Sequence, residues 1–263
     1  MAQVDHMLAS WIMGHLPHLI LALIIIWVIK KKGKDIRHRW FAWFMNMISS
    51  GTDPKSEELK KSFFSSLSSV TSHDPKLRKE NKIKILEVGV GTGVNFPYYP
   101  EGSHLIVVDP NPHFAQYYNE NRKKFPNIQS EEILVTTGEE MTSVPDNSVD
   151  VVVMTLVLCS VVEVERILQQ VRRVLAPGGK FYFMEHIREF DGNKHWLRRV
   201  IQDVLSRSGV WPFMFDGCNL NRDLQPPIEA AGFSKVDAEK FYAPITNFVF
   251  QVIKPHLKGV ATK

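Results

Sequence analysis

The chain has 263 residues, enough for one α/β domain with an appendage or for two small domains. A formal net charge of only +4 creates no global demand for a nucleic-acid partner. Its two cysteines, Cys159 and Cys218, lie far apart and outside any CxxC or Cys/His cluster, so the spacing indicates neither a disulfide framework nor a metal site, and a reducing compartment fits.

From Met7 to Ile29 no residue is formally charged. As a helix these 23 residues would span about 34 Å, enough for a bilayer core. Length and flanks favour a signal anchor or a monotopic insertion. A cleaved secretory signal fits less well, because the preceding flank carries Asp5 and no Lys or Arg, and no A-x-A-like site follows. A buried core helix is the third reading. The basic residues Lys30, Lys31, Lys32, Lys34, Arg37 and Arg39 crowd the C-terminal flank, which the positive-inside rule keeps in the cytosol. Trp40, Phe41, Trp43 and Phe44 then fit either an interfacial helix over Arg39–Ser49 on anionic lipid or packing against the following domain. Residues 51–81, rich in Ser and Lys with Asp-Pro at 53–54 and 74–75, read as a linker with a short helix near Ser56–Ser68. The organisation expected is an anchor over 1–30, a basic and aromatic interfacial segment with linker over 31–81, and an α/β domain over 82–263.

Five short apolar runs follow: Ile83–Val88, Leu105–Val108, Ile133–Thr136, Val149–Met154 and Lys180–Met184. Helical stretches at Pro112–Phe125, Val162–Leu175 and His195–Ser206 separate them. This alternation predicts βαβ units and a parallel sheet. A helix from Pro226 to Ala231 and runs at Phe233–Phe241 and Phe248–Ile253 would complete seven strands. The expected fold is α/β, Rossmann-like, a mostly parallel seven-stranded sheet with helices on both faces.

The first strand ends in Glu87-Val-Gly89-Val-Gly91-Thr-Gly93, expected to lead into a helix. Glycines there supply turn geometry and let backbone approach a ligand. A dinucleotide fingerprint would want Gly or Ala at Val94, and a P-loop would want Gly-Lys-Ser/Thr. Asp109 closes the second strand, 20 residues after Gly89, where a carboxylate can accept both ribose hydroxyls of an adenosyl group or cap a helix. Gly138-Glu139-Glu140-Met141 follows the third strand, and Arg173-Val-Leu-Ala-Pro177-Gly178-Gly179 ends a helix before the fifth. G-x-G-x-G after an acidic residue, with these pieces in this order, resembles class I methyltransferases.

A narrower resemblance is carried by LEVGVGTGVNFPYYP from Leu86, VVDPNPHF from Val107, DVVVMTLVLCSV from Asp150, VRRVLAPGG from Val171, EHI from Glu185 and DGCNL from Asp216. These strings resemble the methyltransferase-like family of membrane-associated alkyl thiol methyltransferases. The resemblance implies S-adenosylmethionine as methyl donor, small thiols including hydrogen sulfide as acceptors, and an endoplasmic-reticulum or lipid-droplet location with membrane lipid as a partner. It places Glu87, Gly89, Gly91, Thr92, Gly93, Asp109 and Pro110 at the cofactor, with Met141 and Leu156. Either Glu139 or Glu140 accepts from the adenine amino group. The chain departs at Val90 and Asn219, where the family often carries cysteine.

Methyl transfer from a sulfonium is an in-line displacement, so alignment and water exclusion matter most. The segment after the fourth strand, including Leu158, would wall the methyl site. His186 after the fifth is a candidate base or acceptor-orienting group, or a structural loop cap. Cys159 is a second catalytic candidate, or an inert packed residue. Trp211, Phe215, Asp216 and Cys218 read as an acceptor lid, a membrane-facing entrance or ordinary packing. A methyltransferase acting on oxygen, nitrogen or carbon of a lipid or quinone shares every one of these motifs, and a non-catalytic lipid-droplet scaffold is the alternative of another class. A nucleic-acid substrate is not expected: the α/β domain has no basic stripe interleaved with aromatics, and Thr155-Leu-Val-Leu stands where Asn/Asp-Pro-Pro-Tyr would.

Overall fold

The computed structural model describes every residue except Met1, Ser50, Thr52 and Glu132, and describes the backbone alone for residues 2–12, 17, 19 and 22–31. It contains two compact units, Met1–Trp40 and Phe41–Lys263. The first is helical, the greater part of α1 (Ala2–Ser49). Among the described residues no helix is long and apolar enough to cross a membrane. Most side chains of the expected anchor, residues 1–30, lie outside the described residues.

The second unit opens with the last turns of α1, where Ala42 is fully buried. The segment expected to be a linker is instead folded. Asp53 and Asp74 are N-caps: their carboxylates accept from the amides of Ser56 and Lys76 at 3.2 and 2.8 Å, each with proline at the start of the helix that follows. These helices are α2 (Pro54–Phe64) and α3 (Pro75–Lys79). Phe64 and Leu67 are buried in the core, which is why the segment cannot float. Asp150 ties it down further, accepting from the amides of His73 and Lys84 at 2.7 and 2.8 Å.

The remaining elements are β1 (Lys84–Val88), β2 (His104–Val108), α4 (Ala115–Arg122), β3 (Gln129–Ser130), β4 (Val149–Thr155), α5 (Val164–Val174), β5 (Leu175–His186), α6 (Trp196–Arg207), α7 (Val210–Met214), α8 (Gln225–Ala230), β6 (Lys235–Tyr242) and β7 (Pro255–Thr262). They form one seven-stranded sheet in the order β3-β2-β1-β4-β5-β7-β6, parallel except for β7, which is antiparallel to both neighbours. Alternation along the strands divides the core between the two faces. Leu86, Val88, Val152, Met154 and Phe183 pack with Ile167 and Val171 of α5. Ile85, Val151, Val153 and Tyr182 pack with Phe64, Leu67, Phe96 and Tyr118.

Three expected elements differ. Leu134 makes only an isolated bridge to Val108, and the amide of Thr136 turns back to the Leu134 carbonyl at 2.9 Å, so the run at 133–136 leaves the ladder and the edge strand lies earlier, at β3. The run at Phe248–Ile253 forms a 3₁₀ turn over Val249–Ile253 with Phe248 and Val249 exposed, and the last strand is β7. β7 carries Lys258 and Gly259, which obscure its alternation. Gly259 is required there, since a Cβ would run into Phe183 and the Asp237 carbonyl. After the glycine loop there is no α-helix but a 3₁₀ turn, Phe96–Tyr98, because Pro97 and Pro100 withhold the amides a longer helix needs.

Candidate functional site

From β1 the chain runs outward through β2 to β3, then returns to β4 on β1's other side. That reversal makes the carboxyl ends of β1 and β4 the switch point of the sheet, where open α/β sheets bind ligands. The glycine loop sits there. Gly89, Gly91 and Gly93 all have positive φ, at 70°, 53° and 79°. A Cβ at Gly89 would collide with Val157 and one at Gly93 with Phe96, whereas at Gly91 the nearest atom is Phe114 Cε1 at 3.8 Å. Gly89 and Gly93 answer to packing, and Gly91 leaves room on the ligand side.

Asp109 is 4% exposed. Its Oδ2 accepts from the Gly91 amide and its Oδ1 from the Asn111 amide, both at 2.9 Å. An ionised carboxylate has about four acceptor positions, so two remain toward the cavity. Burial pushes its pKa up to about 6, against the pull of the Asn111 and Gly91 amides. A carboxylate with acceptor positions to spare, beside an open glycine turn, suits the two hydroxyl donors of a ribose diol.

Glu87 lies behind the loop rather than on the cavity wall, and is 1% exposed. It accepts from Asn95 Nδ2 at 2.7 Å; the same amide donates to Thr155 Oγ1 at 3.0 Å, and Lys60 Nζ donates to Asn95 Oδ1 at 3.1 Å. This chain fixes the glycine loop to the ends of β1 and β4 and brings an ammonium from α2 to the cavity. Burial pushes Glu87 up to about 7 and pulls Lys60 down, while their mutual attraction opposes both shifts.

The cavity holds about 430 Å³, within the range of small-molecule sites. Thr92, Pro110, Gly138 and Glu139 line it near Asp109. Glu139 also accepts from the Val162 amide at 2.9 Å, beside the start of α5. Of the remaining cofactor candidates, Leu156 lines the cavity with φ at 60°, an αL conformation uncommon for leucine. Glu140 is exposed and Met141 fully buried, so neither side chain reaches the cavity: the segment turns after Glu139, sending Glu140 to solvent and Met141 into the core. Phe41, Met45 and Leu59 wall a more apolar part, with Met184, Ala243, Ile245 and His256.

Most of the acceptor-side candidates stand behind that wall. Asp216 lines the cavity, but Leu158, Cys159, His186, Trp211, Phe215 and Cys218 do not. Leu158 is in the core under β4. Cys159, Trp211 and Cys218 form a small core of their own with Leu220. Phe215 packs against Trp211 with the rings tilted by 31° and their centroids 4.1 Å apart. His186 Nε2 lies 2.9 Å from Cys218 Sγ, and Trp211 Nε1 donates to the same sulfur at 3.2 Å. Burial lowers the His186 pKa, but Cys159 and Glu185 beside it raise it overall. The Cys218 contact and burial push the Cys159 thiol well above its ordinary range. Glu185, pushed up to about 7 by burial, accepts from the Val157 amide at 2.9 Å and so holds the strained turn after β4.

The histidine that faces the cavity is His256, directly opposite His186 in the β5–β7 register. Its Nδ1 is 3.2 Å from the Lys254 carbonyl, which places the proton there and leaves Nε2 as an acceptor. Burial, with the charge of nearby His186, pushes its pKa down to about 3. Sequence reasoning missed His256, Lys60 and Asn95. His256 and Lys60 come from segments far from any glycine or acidic motif and carry no local signal; Asn95, inside the quoted string, was legible only by position.

Residues 86–183 match the methyltransferase-domain family. The chain is 38% identical to thiol S-methyltransferase TMT1A of Homo sapiens, over 90% of this chain and 88% of that protein. It is 36% identical to thiol S-methyltransferase TMT1B of Mus musculus, over 94% and 93%. Among solved structures, the [4+2]-cyclase SpnF superposes with a TM-score of 0.53 at 15% identity, covering 77% of this chain and 80% of that one, a likeness of fold alone.

Proposed function

The chain belongs to the thiol S-methyltransferase family, and from that premise we propose that it methylates small or lipophilic thiols, hydrogen sulfide among them, taken up at a membrane. It is an S-adenosylmethionine-dependent methyltransferase. One observation carries the reading: an open glycine turn and a buried acid with spare acceptor positions adjoin a largely apolar chamber in a single cavity.

Bound S-adenosylmethionine supplies a methyl group made electrophilic by its sulfonium sulfur. Asp109 would hold the ribose hydroxyls through its two remaining acceptor positions, and Glu139, which also lines the cavity, would accept from the adenine amino group. The walls of Phe41, Met45, Ile245 and Met184 exclude water from the acceptor sulfur. Thiolate is the reactive form, and an unperturbed thiol at pKa about 8.5 needs far less help than a hydroxyl. His256, held neutral, would accept the S–H hydrogen bond at Nε2 and orient the thiol; with a pKa of about 3 it does not keep the proton, which leaves to solvent when the thiolate forms.

Two features support placement on the cytosolic side of the endoplasmic reticulum or a lipid droplet. The uncharged sequence from Met7 to Ile29 is followed by a basic cluster. Helix α6 presents Trp196, Leu197, Val200, Ile201 and Val204 to solvent, at 37–61% exposure, while burying Gln202 and Ser206.

The test supplies the full chain and S-adenosylmethionine with an alkyl thiol, a catechol and a quinone precursor side by side. Methylation of the thiol is expected, and methylation confined to the other two would overturn the reading. Asp109→Ala is expected to weaken cofactor binding by about 1–3 kcal/mol in calorimetry. Unchanged affinity would remove Asp109 from the site.

A further inference from the structure

Behind the cavity wall, three side chains from different elements converge. Cys159 comes from the turn after β4, His186 from the end of β5 and Cys218 from the loop after α7. One ligand atom from each, Sγ, a ring nitrogen and Sγ, lies within 4.8 Å of the others, and all three residues are buried. No sequence motif announces them, since 26 and 31 residues separate them along the chain. We propose that Cys159 Sγ, His186 Nε2 and Cys218 Sγ bind a zinc ion, a function separate from the thiol reading above and independent of the acceptor's identity.

Several observations agree. Zinc–sulfur bonds of about 2.3 Å and zinc–nitrogen bonds of about 2.0–2.1 Å put the donors of a tetrahedral site ~3.6–3.8 Å apart. The 2.9 Å between His186 Nε2 and Cys218 Sγ then has to open by under an ångström, and the 4.8 Å limit on the set already allows the rest. Two thiolates and a neutral imidazole cancel the charge of the ion, so a neutral complex replaces two thiols in a pocket lined by Leu220 and Trp211. Trp211 Nε1–H already points at Cys218 Sγ from 3.2 Å, the outer-shell hydrogen bond a metal thiolate accepts. Binding forms two Zn–S bonds and one Zn–N bond and releases two thiol protons to solvent, with no change of oxidation state. A tetrahedral ion has a fourth position that these three side chains do not fill.

The experiment uses the full chain in detergent, stripped with chelator and reloaded with zinc alone or cobalt(II) alone. The expected results are about one zinc per chain by elemental analysis and, with cobalt, thiolate-to-metal charge-transfer absorption in the near ultraviolet. Cys159→Ser and Cys218→Ser should each weaken zinc binding by more than the ~10–100-fold typical of losing an outer-shell partner. S-adenosylmethionine binding by each variant shows that it is folded. Should either variant misfold, the cobalt spectrum of the unaltered chain still decides. Absence of stoichiometric zinc, a cobalt spectrum without the charge-transfer band, or undiminished affinity in a folded Cys→Ser variant would each overturn the proposal. Thiol methylation is scored separately, so failure here leaves the acceptor reading untouched.

Discussion

Glu87 shows how a residue can be legible as a motif and illegible in its role. Its place before the glycines marks the loop, yet in the fold it lies off the cavity wall and anchors Asn95 beneath the turn. Burial raises its pKa to about 7, well above the unfolded value, so the folded state holds a proton that the unfolded state releases between about pH 4.5 and 7. The sign follows: Glu87 costs stability as pH rises through that window, by at most about 3 kcal/mol. Glu87→Gln removes the titration and keeps an acceptor for Asn95. Its melting temperature relative to the parent is expected to improve from pH 5 to about pH 7 and to level off above that, the comparison cancelling the opposite contribution of His256. A difference that does not move with pH would mean Glu87 is ionised throughout. Gly89, Gly91 and Asp109 were readable because turn chemistry and strand ends are local. His256 and Lys60 were not, because only tertiary folding delivers them to the cavity.

Among the elements, β1, β2, β4 and β5 were readable because strands buried on both faces are continuous apolar runs. The edges were not: β3 is two residues long, and β7 interrupts its pattern with Lys258 and Gly259. The Asp-Pro pairs read as breaks in a linker, although the same dipeptide caps a helix, and nothing local separates the two uses. Of the aromatics near the end of α1, Phe44 packs on Phe215 and Phe250, as the packing reading expects, while Trp43 stays half exposed. Helix α6 is inverted, with a polar side inward and an apolar stripe outward. Leu197→Asp with Val204→Asp, in the chain beginning at Phe41, is expected to lower binding to phosphatidylcholine–phosphatidylserine vesicles at least tenfold in sedimentation. Stability should change by only about 0.5 kcal/mol per exposed site. Equal vesicle binding by parent and variant would free that stripe of any lipid role.

For the molecule as a whole, the compact unit begins at Phe41 rather than at the first strand. Phe64 and Leu67 fill one face of the sheet against Tyr182 and Phe96. Removing two such side chains costs about 2–5 kcal/mol each, comparable with the entire stability of a typical domain at about 5–15 kcal/mol. A chain from Phe41 should therefore unfold cooperatively in urea, and one from Lys82 should show no cooperative transition. A sharp transition in the shorter chain would mean that α2 is dispensable.

The carbon-lined half of the cavity sets how this protein can choose. Phe41, Met45, Met184 and Ile245 offer shape and apolar area, with few groups that could punish a mismatched polar atom. Each extra methylene on a guest gains about 0.8 kcal/mol, roughly a fourfold preference, until the room runs out. Selectivity of this kind is a gentle gradient across a homologous series, not a password.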